Sequence, residues 1–378
     1  MRLVVISHTA HYQRDGALVG WGPTVRELDR LASICTELVH VAPLHPGPAP
    51  ASALPYHSPN VRFIAVEPAG GHSLGAKLDI LRLIPRYWQA IGSAVHAADA
   101  IHVRCPANIS LIALVYLALH SQPRKRWLKY AGNWQPTEPE PLSYRFQRWW
   151  LRRGWSGGRV TVNGRWTAQP EHVRTFDNPS LTRSELEQAG ELSRHKRLTS
   201  PLNLLFVGAL NRAKGVPQVL AIAAQLRQQA LPFTLHLLGD SDERTAYESE
   251  TRQQGTADAI TFHGWLPKDA LADFYAKAHF LLLPSKTEGW PKVLSEAMAH
   301  GVVPLVSNVS AIPQTLAEIG AGRTFSAQDS AAFVKAIDEY RDNPELWQTE
   351  SEASKKSAFR FTYQAYLEAV QALFQEME

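Results

Sequence analysis

Residues 280–306 constrain the fold more than any other stretch of the chain. Phe280, Leu281, Leu282 and Leu283 form a short apolar run of the kind that suits a parallel strand covered on both faces. Pro291 suits the first position of a helix, residues 292–299 are mostly good helix formers, and Gly301 stands where a left-handed residue closes a helix. Residues 302–306 are apolar again and resume the sheet. In an open parallel sheet, ligands collect at the carboxyl ends of strands beside helix N-termini, so the loop from Lys286 to Lys292 is placed to hold an anion. Glu288 lies in that loop. Glu296 follows eight residues later, inside the predicted helix.

Spacing alone also fits a solvated helix glutamate and an ordinary loop charge. The run from Glu288 through Gly289, Trp290, Pro291, Lys292 and Val293 to Glu296 and Ala297, however, resembles the E-x7-E signature of family 4 retaining glycosyltransferases. The resemblance implies that Glu288 bonds sugar hydroxyls of a nucleotide-sugar donor and that Glu296 bonds the ribose hydroxyls. The backbone from Gly289 to Val293 would face sugar and diphosphate. The chemistry suits the residue types, since ionised carboxylates accept strong hydrogen bonds from vicinal diols and free amides at a helix start favour negative charge.

A chain of 378 residues has two domains as its natural division. Hydrophobic content of 45% and charged content of 20% are those of a globular protein without disordered tracts. The two cysteines, Cys35 and Cys105, make neither a disulfide framework nor a metal pattern, which fits a reducing compartment. The N-terminal apolar run stops at Ile6, too soon for a secretion signal, and the longest apolar segment, 111–119, is too short to span a membrane. A cytoplasmic protein, soluble or peripheral on the inner membrane face, is expected. Charge is uneven: residues 1–180 carry 20 Lys and Arg against 11 Asp and Glu, the remainder 19 against 24. The first half is thus suited to an acidic partner.

In the first half, residues 3–6 read as a buried strand that runs into His8 and His11 and then a turn with Gly16, Gly20 and Gly22. These glycines fit either close approach to a phosphate or a flexible loop. They lack the G-x-G-x-x-G spacing, which argues against a nicotinamide or flavin enzyme. Thr24 is placed to cap a helix through Ala32. Strands at 38–42, 61–66, 100–104, 127–130 and 160–162 alternate with helices at 77–97 and 109–120, so the sheet is parallel and doubly wound. The strand end from Asp99 to Pro106 resembles one where the transferase family often has a histidine beside the reaction centre. Here Arg104 takes that place and His102 falls inside the strand, so Arg104 is read either as a ligand for acceptor phosphate or as a core-edge ion pair. His8, Gly22, Arg104, Asn108 and Asn133 are the acceptor-side candidates, with Tyr130 and Trp134 nearby.

Residues 124–166 hold six of the eleven tryptophans and many basic residues, with Glu138 and Glu140 the acids of that stretch. A helix from Tyr144 to Trp155 would have aromatic and basic faces fit for an anionic membrane surface; a crossover helix with core aromatics and solvated arginines fits as well. No nucleic-acid motif accompanies it. Residues 181–200 are polar and are predicted to link the domains. The second domain, 201–356, opens with a strand at 204–207 running into Gly208, Ala209, Arg212, Lys214 and Gly215, a turn similar to the family's G-R-L-x-x-x-K-G. Lys214 matches the lysine on the diphosphate, Ala209 replaces the usual arginine, and Arg212 is the candidate substitute. Gly239 ends a strand at 234–238, and Gly264, Trp265 and Leu266 follow one at 260–263; in the family these turns border the nucleobase.

The resemblance implies a GT-B fold, with two doubly wound Rossmann-like domains facing each other across a cleft. The acceptor would lie on 1–180, joined by the terminal helix 357–378, and the donor on 201–356. Glu288, Lys214 and Arg212 would serve catalysis, with the leaving diphosphate stabilised electrostatically and the anomeric configuration retained. No metal or other cofactor is implied. The implied donor is a UDP- or GDP-sugar. The expected acceptor is a lipid-linked, polyprenyl-diphosphate-bearing glycan of exopolysaccharide, capsule or O-antigen assembly. A nucleotide-sugar epimerase and a non-catalytic nucleotide-sugar-binding protein remain open alternatives.

Overall fold

The structure is a computed structural model that describes residues 1–69, 74–136 and 139–378. The chain divides into two compact units, one of residues 1–176 with 366–378 and the other of residues 177–365.

In the first unit, strands β1 (Arg2–Ile6), β4 (Glu37–Pro43), β6 (Val61–Val66), β7 (Ala100–Cys105), β8 (Lys125–Tyr130), β9 (Arg159–Val162) and β10 (Val173–Thr175) form one sheet in the order β10-β9-β8-β7-β1-β4-β6. Every pairing in it is parallel. Direction across the sheet reverses between β1 and β7. Helices α1 (Gly22–Ala32), α2 (Leu74–Val95), α3 (Asn108–Leu119) and α4 (Leu142–Arg153) make the crossovers. The turn after β1 departs from the sequence reading. It is a hairpin of β2 (His11–Arg14) and β3 (Ala17–Trp21), with β5 (Ala53–Pro55) alongside. Asp15 and Gly16 both have positive φ, 52° and 77°, the geometry that lets a two-residue loop follow the twist of its strands. Thr24 lies inside the first turn of α1 and does not cap it; Pro23 sits in that first turn, directly after Gly22.

The second unit holds β11 (Leu202–Val207), β12 (Phe233–Leu238), β13 (Ile260–Gly264), β14 (Phe280–Leu283), β15 (Val303–Ser307) and β16 (Arg323–Phe325) in the order β13-β12-β11-β14-β15-β16, again all parallel. The reversal falls between β11 and β14. Residues 181–200 are not a linker: Thr182 and Glu185 form a reciprocal capping box at the start of α5 (Arg183–Leu192), and Ala189 is fully buried in that helix. The unit also contains α6 (Val216–Gln228), α7 (Arg244–Gln253), α8 (Lys268–Lys277), α9 (Lys292–Ala299), α10 (Ile312–Ile319), α11 (Ser330–Asp342) and α12 (Pro344–Ser357). The last helix, α13 (Tyr363–Gln375), sends Tyr366, Val370, Leu373 and Phe374 into a core shared with Leu3, Val5, Leu28 and Trp127 of the first unit. Among the described residues, no helix is long and apolar enough to cross a membrane.

Several buried histidines are held neutral by the packing. Burial lowers His11, His279 and His300 to about 4. His279 Nδ1 accepts from the Asn203 amide at 3.0 Å, and His300 Nδ1 donates to the Glu296 carbonyl at 3.1 Å. An unfolded chain protonates these rings near their ordinary value, while the folded chain does so only near pH 4. Their contribution is therefore complete above about pH 6.5 and is lost as pH falls towards 4. Calorimetry between pH 7 and 4.5 should show falling Tm, with a shallower fall for His279→Asn, whose amide oxygen can still accept from Asn203.

Candidate nucleotide-sugar site

The loops that follow β11 and β14 meet at the point where the second sheet reverses. Gly208 ends β11, Asn211 caps a single 3-10 turn of Arg212–Lys214 by accepting from the Lys214 amide at 2.9 Å, and Gly215 closes it at φ +82°. A Cβ on Gly215 would stand 2.1 Å from the Pro284 carbonyl oxygen, so only glycine lets the two loops touch. Lys286 N donates to the Ala213 carbonyl at 2.9 Å. Above this contact, Lys214 Nζ pairs with Glu288 Oε1 at 2.7 Å, joining residues 74 apart in sequence. Lys214 remains 37% exposed while Glu288 is 11% exposed, so the ammonium stands at the solvent side of the pair. Arg212 is exposed on the same turn.

Neighbouring strand ends are equally tight. Gly208 N donates to the Leu238 carbonyl and Gly239 N to the Gly264 carbonyl, and a Cβ on Gly239 would lie 1.8 Å from Gly208 O. These glycines thus line up the ends of β11, β12 and β13, with the Gly208 and Gly239 amides spent on carbonyls of the neighbouring strand ends. Trp265 is exposed beyond them, and Leu266 packs against the core. In α9, Pro291 is the residue before the first helical one and carries no N–H, and Lys292 and Val293 are the first two residues of the helix itself. Gly289 precedes Trp290, whose ring turns inward: it stacks on Phe361 at 4.9 Å and its Nε1 donates to Ser295 Oγ. Only the Trp290 backbone can therefore face a ligand. Glu296, in the second turn of α9, accepts from the Tyr275 hydroxyl at 3.1 Å and lies 3.5 Å from Lys268 Nζ. Neither Tyr275 nor Lys268 was signalled by the sequence, because each reaches Glu296 across the gap between two helices. The chain does contain one Asp-x-Asp spacing, Asp240 and Asp242 after β12, but no group of three or more His, Cys, Asp or Glu gathers among the described residues.

On the first unit, His8, Arg104, Asn108 and Asn133 fall at the carboxyl ends of β1, β7 and β8, around that sheet's reversal. His8 is exposed, Asn108 opens α3, and Asn133 Oδ1 accepts from the Gln135 amide. Arg104 is bound in the core edge: it donates to Glu27 at 2.6 and 3.3 Å, and Glu27 also receives Lys129 at 3.1 Å and the Tyr366 hydroxyl at 3.2 Å. Burial pushes Lys129 down to about 8 against the pull of Glu27. Glu27 lies far from these strands in sequence, yet Arg104 and Lys129 are register partners in β7 and β8, a pairing that demands a counter-charge. Gly22 spends its amide on the Ser52 carbonyl. His11 is buried: its Nδ1 donates to the Thr9 carbonyl and its Nε2 meets the Tyr56 hydroxyl, which also meets His40 Nδ1. Gly20 allows this, since a Cβ there would come within 2.5 Å of the His11 ring.

The basic, tryptophan-rich segment is only partly unpaired. Arg148 pairs with Glu140, Lys129 with Glu27, and Lys125 with Glu378; Glu138 lies outside the described residues. Helix α4 stops at Gly154 in the left-handed conformation, so Trp155 stands beyond it, edge-on to Trp149 at 4.6 Å. Trp150 packs against the core, and Trp134 is buried. Leu142, Phe146, Trp149 and Trp155 are exposed.

Two doubly wound sheets with ligand-type loops at the reversal of the second give the chain the fold of the GT-B glycosyltransferases. Solved structures agree across the full length. Sucrose-phosphate synthase from Thermosynechococcus elongatus superposes with a TM-score of 0.72 at 20% identity, covering 100% of this chain and 98% of that one. HepE of Anabaena in complex with UDP gives 0.68 at 14% identity and 100% of both. The family model described as glycosyl transferases group 1 matches residues 191–357. Among curated proteins, the putative colanic acid biosynthesis glycosyltransferase WcaL of Salmonella typhimurium is 29% identical over 184 residues, 46% of this chain and 45% of that protein. The chain spans about half or less of the length of the curated relatives it matches.

The fit between Gly215 and Pro284 gives a direct test of the site's foundation. Gly215→Ala should lose at least 1–3 kcal/mol, roughly the cost of a forced backbone conformation, in urea titration. Gly190→Ala, in α5 with nothing near its missing Cβ, should leave stability unchanged or raise it by about 0.5–1 kcal/mol.

Proposed function

We propose that this chain is a retaining, metal-independent glycosyltransferase that moves one sugar from a UDP- or GDP-sugar to a lipid-linked acceptor, polyprenyl-diphosphate-bearing, in the assembly of a surface polysaccharide such as exopolysaccharide, capsule or O-antigen. The observation that carries this reading is the contact of Lys214 with Glu288 at the reversal of the second sheet, where a cation for phosphate and an acceptor for sugar hydroxyls stand 2.7 Å apart. The UDP complex of HepE supports the nucleotide, and the name of WcaL supports the polysaccharide setting.

In this reading Glu288 accepts hydrogen bonds from sugar hydroxyls, and Glu296 accepts from the ribose. Lys214 uses one ammonium hydrogen on Glu288 and has two left for the diphosphate. Arg212 and the amides of Gly289, Trp290, Lys292 and Val293 add positive potential where negative charge grows as the glycosidic bond breaks. Gly208, Gly239, Gly264, Trp265 and Leu266 border the nucleoside. The acceptor oxygen attacks the anomeric carbon on the face the phosphate leaves, and the departing phosphate oxygen takes the acceptor proton, so no side chain serves as nucleophile. On the acceptor side, His8, Asn108 and Asn133 line the sheet edge and Gly22 shapes the start of α1. The Arg104 guanidinium, fastened to Glu27, presents a fixed positive charge.

The lipid-linked acceptor rests on the exposed face of α4. Leu142, Phe146 and Trp149 stand there with Arg145, Arg148 and Arg152 around a groove of about 590 Å³, and Trp155 is exposed just beyond the end of the helix. Aromatic side chains beside arginines suit the boundary of an anionic bilayer, and each basic residue near such a surface contributes about 1 kcal/mol.

Three measurements test these readings. Glu288→Ala should lower kcat/KM by about ten- to a hundredfold or more, for roughly 1.5–3 kcal/mol of lost charge-assisted bonding; unchanged turnover removes Glu288 from the site. Donor incubated without acceptor should yield no new nucleotide sugar, since epimerised donor would mean a different reaction. Sedimentation at low salt should carry the protein down with phosphatidylglycerol vesicles and not with phosphatidylcholine vesicles. Trp149→Ala with Trp155→Ala should weaken that binding, and a protein left in the supernatant would overturn the membrane reading.

A further inference from the structure

Glu296 is held by side chains that the family signature does not include. Tyr275, in the last turn of α8, is 3% exposed, and its hydroxyl donates to Glu296 Oε2 at 3.1 Å. Lys268, the first residue of the same helix, stands 3.5 Å from Glu296 Oε1. Both ends of α8 therefore address one carboxylate on α9. Each of these side chains is fastened in turn. Lys268 Nζ donates to the Ser180 carbonyl at 2.6 Å and pairs with Glu185 at 3.0 Å, the acid of the α5 capping box. Behind Tyr275, the buried Lys196 donates to the Tyr275 and Ala278 carbonyls at 2.7 and 2.9 Å, tying down the end of α8. The His300 ring stacks on Tyr275 at 5.4 Å.

A glutamate side chain on a helix turns freely about its outer bonds, and a carboxylate that must receive two hydroxyls at once does better when its plane is set beforehand. A buried phenol also needs an acceptor, so Tyr275 could use Glu296 simply to satisfy itself. Two features go beyond that. The Glu296 side chain keeps 11% of its surface exposed although Tyr275 is buried, so the residue is not sealed in the core as its phenol partner is. The Lys268 contact to Glu296 is long, while its contacts to Ser180 and Glu185 are short, which leaves Oε1 open to a hydroxyl donor.

We infer that Tyr275 and Lys268 are positioning residues that fix the Glu296 carboxylate in the orientation in which it receives the vicinal hydroxyls of a nucleoside ribose. The inference rests on the nucleotide-sugar reading above. It also gives residues 177–192 a part in the site, through Ser180 and Glu185.

The test is isothermal titration of the full chain with UDP and GDP, and with the 2′-deoxy and 3′-deoxy forms of whichever binds. The wild type should prefer the ribose form by about tenfold or more, the equivalent of roughly 1.4 kcal/mol. Tyr275→Phe should bind the deoxy forms as the wild type does, with the ribose preference reduced to within about threefold. Lys268→Met, which removes no core side chain, provides the same reading if Tyr275→Phe folds poorly, and it too should lower the preference. A ribose preference unchanged in the folded variants overturns the inference while leaving the donor reading intact. A wild type that binds neither nucleotide overturns both.

Discussion

The candidate site of the second unit depends on a close approach, that of the turn after β11 to the loop after β14. Parallel strands that part at a sheet reversal leave a crevice between their loops. Here a glycine with no Cβ lets the Pro284 carbonyl in, and a backbone hydrogen bond from Lys286 to Ala213 closes the seam. Because the seam is tight, Lys214 and Glu288 meet above it at 2.7 Å, and the start of α9 is held at the same edge. The Lys214–Glu288 pair thus sits on backbone packing that only glycine permits.

Charge is handled differently in the two units. In the first, Glu27 sits nearly without exposure under Arg104, Lys129 and the Tyr366 hydroxyl, a closed cluster whose partners are desolvated together. Removing one member of such a buried pair costs about 3–5 kcal/mol, because the remaining charge is left uncompensated. In the second, the lysine of the Lys214 pair is more than a third exposed, so solvent and any anion can compete for it. A closed cluster suits a scaffold. An open pair can exchange one partner for a ligand.

Much of the local structure around the candidate site was legible in the sequence because its signals are local. The eight-residue interval from Glu288 to Glu296 places one acid in a loop and the other in the second turn of the following helix, and Gly301 takes the left-handed conformation, φ +66°, that its place after α9 demands. The alternation of strands and helices likewise set two parallel sheets. Other features had no local signature. The Asp15–Gly16 hairpin was obscured because its glycines fit either a phosphate turn or a flexible loop, and residues 181–200 looked like a linker because α5 is polar on most of its surface and buries little beyond Ala189. Trp290 lies in the middle of the signature, yet its ring belongs to the core beside Phe361.

The sequence by itself determined the main strands and helices of the two sheets, their order and the residue types at the strand ends, since these follow from apolar periodicity, glycine conformation and helix starts, each readable within a few residues. Only the tertiary structure decided which charges are paired. Arg104 to Glu27, Lys129 to Glu27, Lys268 to Glu185 and Tyr275 to Glu296 join elements tens of residues apart or more, and a carboxylate's partner is chosen by what packing brings within about 3–4 Å, where Coulomb attraction in a partly dry interior outweighs that of water.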